Sequence, residues 1–305
     1  MTIYFANLAA RGLLQVSGPD TIRFLQGQTT CDLEQLQDDT ALAGAYCTPQ
    51  GRMVCDFRIL ASAEETYLLQ MHESICDPSV SVFGKYIVFS KAEIANVSPD
   101  WQQFALWGEN AASELGAEDA AVNQLWTEND CLWLRTEGEQ PRFEVCVPAA
   151  QANAFTEKLA GRFQPRDESD WQLQEINAGI GHVDVETIES FLPQMLNYQL
   201  TDRVSFTKGC YTGQEVVARM HYRGKLKRSM YLASVAGTDA PTAGTALFRP
   251  DSEQSVGNVV NAASSAHETR LLAVVTSAAI KGGIQLASPD GPRLEFLELP
   301  YSIDA

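Results

Sequence analysis

The feature that most constrains the fold is a long succession of short apolar runs separated by turn-forming residues. Leu13–Ser17 has the pattern of a strand, and a Gly-Pro pair then leads into a predicted helix with Ile22, Phe24 and Leu25 on one face. The apolar runs ALAGAYC and RMVCDFRIL flank the tetrapeptide TPQG, which predicts a β-hairpin. Strands interleaved with helices and hairpins predict α+β layers instead of a doubly wound parallel sheet.

The pattern of apolar runs along the sequence changes near Ser229. Before it, we predict further strands at YLLQM, AEIANV, QQFALWG, CLWLRT and RFEVCVP, and helices at residues 78–88, 111–115, 149–160 and 169–178. After it, short runs such as SMYLASV, GNVVNA and RLEFLEL alternate with Gly, Pro, Asp and Ser, which is typical of a small antiparallel barrel or sandwich. We therefore predict two parts: an α+β region at residues 1–228, formed by two interleaved subdomains, and a C-terminal β-barrel at residues 229–305.

Composition argues against several classes of protein. A formal charge of -17 disfavours sequence-blind binding to nucleic acid. The seven cysteines include no Cys-x-x-Cys pair, which argues against a disulfide framework and a zinc ribbon. The four histidines (His72, His182, His221 and His267) are scattered, so we predict no metal site. The N-terminus lacks a signal-peptide pattern, and the longest apolar stretch is well short of the ~20 residues of a membrane span. We expect a cytoplasmic protein without a membrane partner.

The segment KGCYTGQE, residues 208–215, concentrates the candidate chemistry. Thr212 and Glu215 have the spacing of a capping box, which predicts a helix that begins at Gly213. Cys210 would then lie near the positive end of the helix dipole, where Lys208 adds a second positive charge. Because both effects favour the thiolate, we hypothesise that Cys210 is an accessible, reactive thiol. The alternative is an ordinary cysteine, and we expect most of the other cysteines to be buried as small hydrophobic residues.

A local excess of positive charge follows this segment. Six Lys or Arg residues stand between positions 208 and 228, against the single acid Glu215. This density indicates either a site for a small anion or a docking patch, and the alternative is a solvated helix face. Direct contact with RNA is a further hypothesis, which the overall acidity disfavours. It would use the basic side chains Arg219, Arg223, Lys225, Lys227 and Arg228.

The run KGCYTGQEVVAR resembles the signature of the YgfZ family. Its members are folate-binding proteins similar in fold to the glycine-cleavage T-protein, and are linked to iron-sulfur cluster assembly and to tRNA modification. Other segments resemble family segments in the same order: FLQGQTTCDL, TPQGRMVCDFRIL, KYIVFSK, AGIGHVD, FLPQMLNYQL and LPYS. The resemblance implies domains arranged in a ring around a channel that holds tetrahydrofolate, closed by a C-terminal β-barrel.

The resemblance also suggests site residues. Lys208 and Cys210 match the functional lysine and cysteine of the family motif, and Tyr211 in the same motif is a candidate contact to folate. Trp171 stands where a family tryptophan is implicated in folate binding, although a plain core tryptophan is the alternative. Arg11 replaces a second tryptophan of some relatives. It would stack on a ring or bind the glutamate tail of folate, unless it is a surface residue.

Two positions depart from the pattern of the aminomethyltransferases. Asn177 replaces a glutamate that accepts two hydrogen bonds from the pterin, and an amide cannot reproduce this because it offers one acceptor and one donor group. The transferases' pair of adjacent acids aligns with Cys55 and Asp56, so one acid is missing and we expect a poor transferase. Asp56 remains a candidate general base or ligand to a folate nitrogen, or else a hydrogen-bonded acid at a strand end.

Two functions follow as expectations. The first is a tetrahydrofolate-binding accessory protein in iron-sulfur cluster assembly or repair, with iron-sulfur proteins or assembly factors as partners and an indirect effect on tRNA modification. The alternative is a tetrahydrofolate-dependent one-carbon transferase or demethylase.

Overall fold

Three β-sheets and the helices between them make up the computed structural model, which describes residues 2–224, 226–237, 239–265 and 268–303. The strands of the described residues are β1 Tyr4–Asn7, β2 Arg11–Ser17, β3 Leu42–Cys47, β4 Met53–Ala63, β5 Thr66–His72, β6 Glu93–Asn96, β7 Trp101–Trp107, β8 Leu125–Glu128, β9 Cys131–Thr136, β10 Arg142–Pro148, β11 Gln164–Pro165, β12 Arg228–Val235, β13 Ala246–Phe248, β14 Ser255–Ser264, β15 Thr269–Thr276, β16 Gln285–Leu286 and β17 Leu294–Leu297. The α-helices are α1 Thr21–Gln26, α2 Cys76–Ile87, α3 Ala111–Leu115, α4 Ala152–Ala160, α5 Glu168–Asn177 and α6 Gln214–Arg223.

Short 3-10 helices connect these elements. They span Leu33–Gln35, Glu73–Ile75, Ser98–Asp100, Ala149–Gln151, Val185–Thr187, Pro193–Leu196, Tyr198–Leu200 and Ser277–Gly282. The predicted helix at 149–160 is thus a 3-10 turn followed by α4, and the other predicted helices before residue 180 end within two residues of the observed ones. No helix in the described part of the chain is both long enough and apolar enough to cross a bilayer.

The first sheet has the strand order β3-β4-β5-β2-β6. The hairpin predicted around TPQG is confirmed, because β3 and β4 pair antiparallel and Gly51 donates to the Thr48 carbonyl at 2.8 Å. Gly51 has a φ of 74°, a conformation that favours glycine at this turn. Phe83 of α2 packs in the core against Tyr46 of β3, with 5.0 Å between the ring centroids.

The second sheet has the order β11-β1-β7-β10-β9-β8. Its strand β1 precedes the whole first sheet in sequence, so the chain leaves this sheet, builds the other and returns at β7. One face packs against α4, where Phe155 lies 5.3 Å from Phe104, centroid to centroid. The other face meets the first sheet through an apolar cluster that includes Leu13, Leu60 and Leu132. The predicted division of residues 1–228 into two interleaved α+β subdomains stays a prediction.

The third sheet contains only strands from Arg228 onward, in the order β16-β13-β14-β15-β12-β17. The sheet curls until its two edges meet, because Gln285 and Arg293 form a bridge and Leu294 donates to the Ile284 carbonyl at 2.8 Å. Its interior is filled by alternate apolar side chains such as Leu247, Leu271 and Val275. The expected antiparallel barrel architecture at the C-terminus is confirmed, whereas the exact domain boundary at 228/229 stays a prediction.

Helix α6 begins differently from the prediction. Its N-cap is Gly213, with a φ of 86°, and no side chain caps the helix. The predicted capping box is therefore wrong: the Thr212 hydroxyl instead donates to Gln28 Oε1 at 3.1 Å. A long-range partner has replaced the local one. Gly213 also lies so close to the β3–β4 hairpin that a Cβ there would be 2.5 Å from the Thr48 carbonyl oxygen.

We predict that Gly213→Ala destabilises the protein by about 1–3 kcal/mol, because the new Cβ meets both a disfavoured φ and the Thr48 carbonyl. Chemical denaturation measures the change. Gly209→Ala is the matched control in the same motif, since a Cβ at Gly209 meets no atom within 4 Å. Equal stability of the two variants would contradict this explanation of the motif glycine.

Candidate functional site

Two cavities lie on either side of helix α5. The larger, of about 940 Å³, is lined by α5 and by residues of the second and third sheets, with Arg142, Asn177, Arg203 and Arg270 among its walls. The smaller, of about 440 Å³, is lined by residues that include Arg11, Trp171, Glu175 and His182. The larger cavity falls within the ~300–1,000 Å³ that is usual for small-molecule sites.

The predicted site residues fall into separate groups. Arg11 and Trp171 line the smaller cavity, and Asn177 lines the larger one. Asp56 is 5% exposed and lines neither. The motif residues Lys208, Cys210 and Tyr211 also line neither cavity; they form a third location at the start of α6 and are described below. The structure thus brings some of the candidates together around α5 but sets the motif apart.

A chain of ionisable groups connects Asp56 to Arg11. Asp56 accepts from the Val183 amide at 2.6 Å and contacts His182 Nδ1 at 2.7 Å. His182 Nε2 lies 3.4 Å from Glu175, which in turn forms a salt bridge with Arg11. Asp56 lies on β4 and Arg11 on β2, the two strands that flank β5 in the first sheet, while Glu175 belongs to α5. The chain therefore fastens α5 to that sheet.

The charges of Asp56, His182, Glu175 and Arg11 shift one another's pKa values. Burial disfavours the imidazolium of His182, but Asp56 and Glu175 outweigh burial and raise its pKa. Burial favours the neutral acids, yet Arg11 and His182 lower the pKa of Glu175, and His182 lowers that of Asp56. Asp56 is therefore an ionised, fully engaged carboxylate, which corresponds to the hydrogen-bonded acid among the alternatives.

A second charged cluster joins the first two sheets beside the larger cavity. Glu137 contacts Arg58 at 2.7 Å and Arg203 at 3.1 Å, and Arg58 also lies 3.7 Å from Glu144. Burial favours the neutral acid, but Arg58 and Arg203 lower the pKa of Glu137 to about 2. Because Glu137 lines the larger cavity, this cluster places an ionised carboxylate in its wall.

Trp171 is enclosed. Its side chain is 1% exposed, and it packs against Trp107 with ring centroids 5.7 Å apart. The guanidinium carbon of Arg142 lies 4.9 Å from the Trp171 ring centroid. With these neighbours in place the ring has little surface for a ligand, so the geometry favours the core alternative for Trp171.

Asn177, the position that replaces a glutamate, pairs with the third sheet. Its Oδ1 accepts from Arg270 Nη1 at 2.7 Å. Asn177 lines the larger cavity, and its remaining amide group, Nδ2, is a hydrogen-bond donor. This position is therefore neutral and can donate a hydrogen bond, whereas the glutamate of the aminomethyltransferases is negatively charged and only accepts hydrogen bonds.

The KGCYTGQE motif packs on two other segments that resemble the family. Lys208 is 7% exposed, and its ammonium donates to the carbonyls of Thr29, at 2.7 Å, and Cys31. It also lies 5.3 Å from the ring centroid of Tyr211, which is itself buried. Burial lowers the pKa of Lys208 to about 8. Lys208 therefore has the structural role that the sequence did not assign to it, and its influence on Cys210 stays a prediction.

Cys210 is the exposed member of the seven cysteines, and the other six are buried. The expected accessibility of its thiol and the expected burial of most of the other cysteines are both confirmed. Around it, the loop at residues 28–31 and the TPQG hairpin support the motif through Thr212 and Gly213. Three segments distant in sequence thus hold one exposed thiol.

Sequence reasoning missed several residues of the site. Glu175 stands four positions after Trp171 on one face of α5, a spacing that could have drawn attention to it. His182 lies within AGIGHVD but carries no metal-ligand spacing. Arg142 and Arg203 gave no signal, because only the tertiary fold brings them to the cavity.

The remaining predictions concern the basic residues on and after α6 and the histidines. Arg219, Arg223 and Lys227 are exposed on or after α6, whereas Lys225 lies outside the described residues, as does His267. Within the described ranges there is no group of three or more His, Cys, Asp or Glu side chains arranged to hold a metal ion.

Comparison with known proteins identifies the family of this chain. The GCVT N-terminal domain family matches residues 6–125. A tRNA-modifying protein YgfZ from Colwellia psychrerythraea is 35% identical over 232 residues, which cover 75% of this chain and 70% of that protein. This chain belongs to the YgfZ family. A second YgfZ, from Yersinia pseudotuberculosis, is 34% identical over 242 residues and covers 77% of this chain and 72% of that protein.

A solved structure agrees with the fold of this YgfZ-family chain. The glycine cleavage system aminomethyltransferase T from Bartonella henselae matches with a TM-score of 0.77 over 98% of this chain and 86% of that chain, at 16% identity. At that identity the match shows the fold alone. The predicted T-protein-like α+β architecture and the family resemblance are both confirmed.

We predict that His182→Gln destabilises the protein by about 2 kcal/mol below pH 6 and by less as the pH rises. The pKa of His182 is raised in the folded state, so the imidazolium contributes fully below the unfolded value of ~6.5 and its contribution is lost as the pH rises through the folded value. Denaturation of both proteins across pH 5–9 measures the difference. His221→Gln, at the exposed face of α6, is the control. A difference that grows with pH would contradict the assignment of charge.

Proposed function

We propose that this protein binds tetrahydrofolate in the larger cavity beside α5. With folate bound, we propose that it serves in the cytoplasm as an accessory factor for iron-sulfur cluster assembly or repair. Cys210 provides thiol chemistry on a separate surface. The observation that carries the proposal is the 940 Å³ cavity, which lies between α5 and the second and third sheets of a T-protein fold and carries both hydrogen-bonding and apolar walls.

The walls of the cavity suit the parts of a folate. Glu137 offers an ionised carboxylate in the cavity wall. Arg58 and Arg203 each donate to one of its oxygens, and the second lone pair of each oxygen is left to accept from the N–H groups at the donor edge of a pterin. Asn177 adds an amide, and Leu232, Leu299 and Tyr301 add apolar surface for the rings. An acid thus remains available in the same cavity although Asn177 has replaced the glutamate of the transferases. When bound, tetrahydrofolate supplies nitrogen atoms that carry one-carbon units.

Asp56 argues against the alternative of a one-carbon transferase or demethylase. A general base must reach the proton that it removes. The Asp56 side chain contacts Val183 and His182 and lines neither cavity, so it does not reach a ligand in either of them. Cys55 occupies the position of the other acid of the transferase pair. It is buried, and burial raises the pKa of its thiol to about 12. These features favour the accessory role over turnover.

A role in iron-sulfur metabolism would account for the exposed thiol of Cys210. A single exposed thiol does not hold a cluster alone, so any cluster ligand role requires a protein partner. The relatives are named tRNA-modifying proteins, and an accessory factor for iron-sulfur enzymes would support tRNA modification indirectly. The exposed basic residues of α6 leave direct contact with RNA as an outcome to be tested by tRNA binding at several salt concentrations.

Folate binding is tested by titrating tetrahydrofolate and following tryptophan emission. We expect saturable quenching, and we expect Asn177→Leu to weaken binding by about tenfold because one polar wall is lost. Gln172→Leu, which alters only the smaller cavity, is the matched control and should bind as the wild type does. An effect of Gln172→Leu with none of Asn177→Leu would place the ligand elsewhere. Absence of saturable binding would contradict the proposal.

The thiol is tested separately. In native protein we expect one rapidly alkylated cysteine of the seven, and Cys210→Ser should abolish it while tetrahydrofolate affinity stays within about twofold. In cells that lack the endogenous protein, Cys210→Ser should fail to restore iron-sulfur-dependent tRNA modification, whereas the neighbouring Gly209→Ala should restore it. Full restoration by Cys210→Ser would remove the thiol from the function.

A further inference from the structure

Arg142, in the wall of the larger cavity, carries a buried charge that forms no ion pair with any acid of the described residues. This residue begins β10, is 2% exposed and lines the cavity wall. Its Nε and Nη1 atoms are buried and have no hydrogen-bond partner. A buried guanidinium in this condition is costly, and native structures seldom retain one without a purpose.

The other arginines near α5 are paired. Within the described residues the ion pairs are Arg11 with Glu175, Arg58 with Glu137 and Glu144, Arg203 with Glu137, and Arg270 with Glu268. Burial lowers the pKa of Arg11, Arg142 and Arg203. Neighbouring acids reverse that effect at Arg11 and Arg203 but not at Arg142. Arg142 is therefore the member of this group whose charge is least compensated.

Two neighbours fix the position of the Arg142 guanidinium. The Trp171 ring lies beneath it, 4.9 Å from ring centroid to Cζ. The backbone of Gly138 approaches from the turn between β9 and β10, where an added Cβ would be 2.6 Å from Arg142 Nε. The side chain is thus held in place before any ligand enters, which reduces the entropy lost on binding.

We propose that Arg142 is a carboxylate-binding subsite of the larger cavity. A carboxylate matches the planar guanidinium and carries the single negative charge that would pair with Arg142. A phosphate carries more charge than Arg142 offsets, and Glu137 in the same wall would repel the excess. This subsite explains Trp171 as a positioning residue that holds Arg142 and does not itself stack on the ligand.

The carboxylate has two possible sources. One is the glutamate tail of folate, and this choice rests on the proposed function. The other is a free small organic acid, which requires no folate. Both share the chemistry that Arg142 recognises, and suitable probes separate them.

The experiment uses the full-length protein and four probes: tetrahydrofolate, 6-methyltetrahydropterin, p-aminobenzoyl-glutamate and the uncharged diamide of p-aminobenzoyl-glutamate. Calorimetry should show that the wild type binds p-aminobenzoyl-glutamate at least about tenfold more tightly than the diamide. Arg142→Met should abolish this preference and weaken tetrahydrofolate by a similar factor, while leaving 6-methyltetrahydropterin unchanged. Arg270→Met, which removes the same charge from a paired arginine of the same cavity, should keep the preference.

The outcomes separate the two proposals. Equal affinity of the wild type for the acid and the diamide overturns the subsite, and this arm needs no variant, so it decides the matter even if Arg142→Met fails to fold. An equal loss for 6-methyltetrahydropterin and tetrahydrofolate in Arg142→Met also overturns it. Preference for p-aminobenzoyl-glutamate without any binding of tetrahydrofolate supports the subsite for a free organic acid and contradicts the proposed function.

Discussion

Helix α5 is the point at which the three sheets are fastened together, because an arginine from each sheet contacts a side chain of this helix. Glu175 pairs with Arg11 of the first sheet, Trp171 packs under Arg142 of the second, and Asn177 accepts from Arg270 of the third. Both cavities exist because α5 stands between the sheets and does not fill the space. Since Glu175 and Arg142 are buried, loss of the partner of either one leaves a charge that water scarcely reaches.

The same contacts connect stability with binding. Residues that hold α5 also form the cavity walls, so a ligand in the larger cavity binds a surface that only the folded chain presents and therefore stabilises it. The thiol of Cys210 is supported by different segments, namely the loop at 28–31 and the hairpin that leads into β4. Strand β4 continues from that hairpin to Asp56 and Arg58. The two functional regions are thus distinct surfaces on one continuous scaffold.

Local patterns predicted much of the fold, because hairpins and helix faces depend on residues close in sequence. The β3–β4 hairpin and the curled third sheet are of this kind. The site depends on distant partners, which no local pattern records. Lys208 is bonded to a loop 179 residues earlier, and Arg11 to Glu175 across 164 residues. The capping box failed for the same reason, since Thr212 found a partner in Gln28. The family resemblance identified the region but not the pairing of its charges.

The most direct measurement of the central claim is a structure of the full chain with tetrahydrofolate. The account predicts folate in the larger cavity, with its pterin between Glu137 and Asn177, a glutamate carboxylate on the Arg142 guanidinium, and the Asp56–His182 contact intact. Folate seated in the smaller cavity against Arg11, or on the surface beside Cys210, would contradict the account.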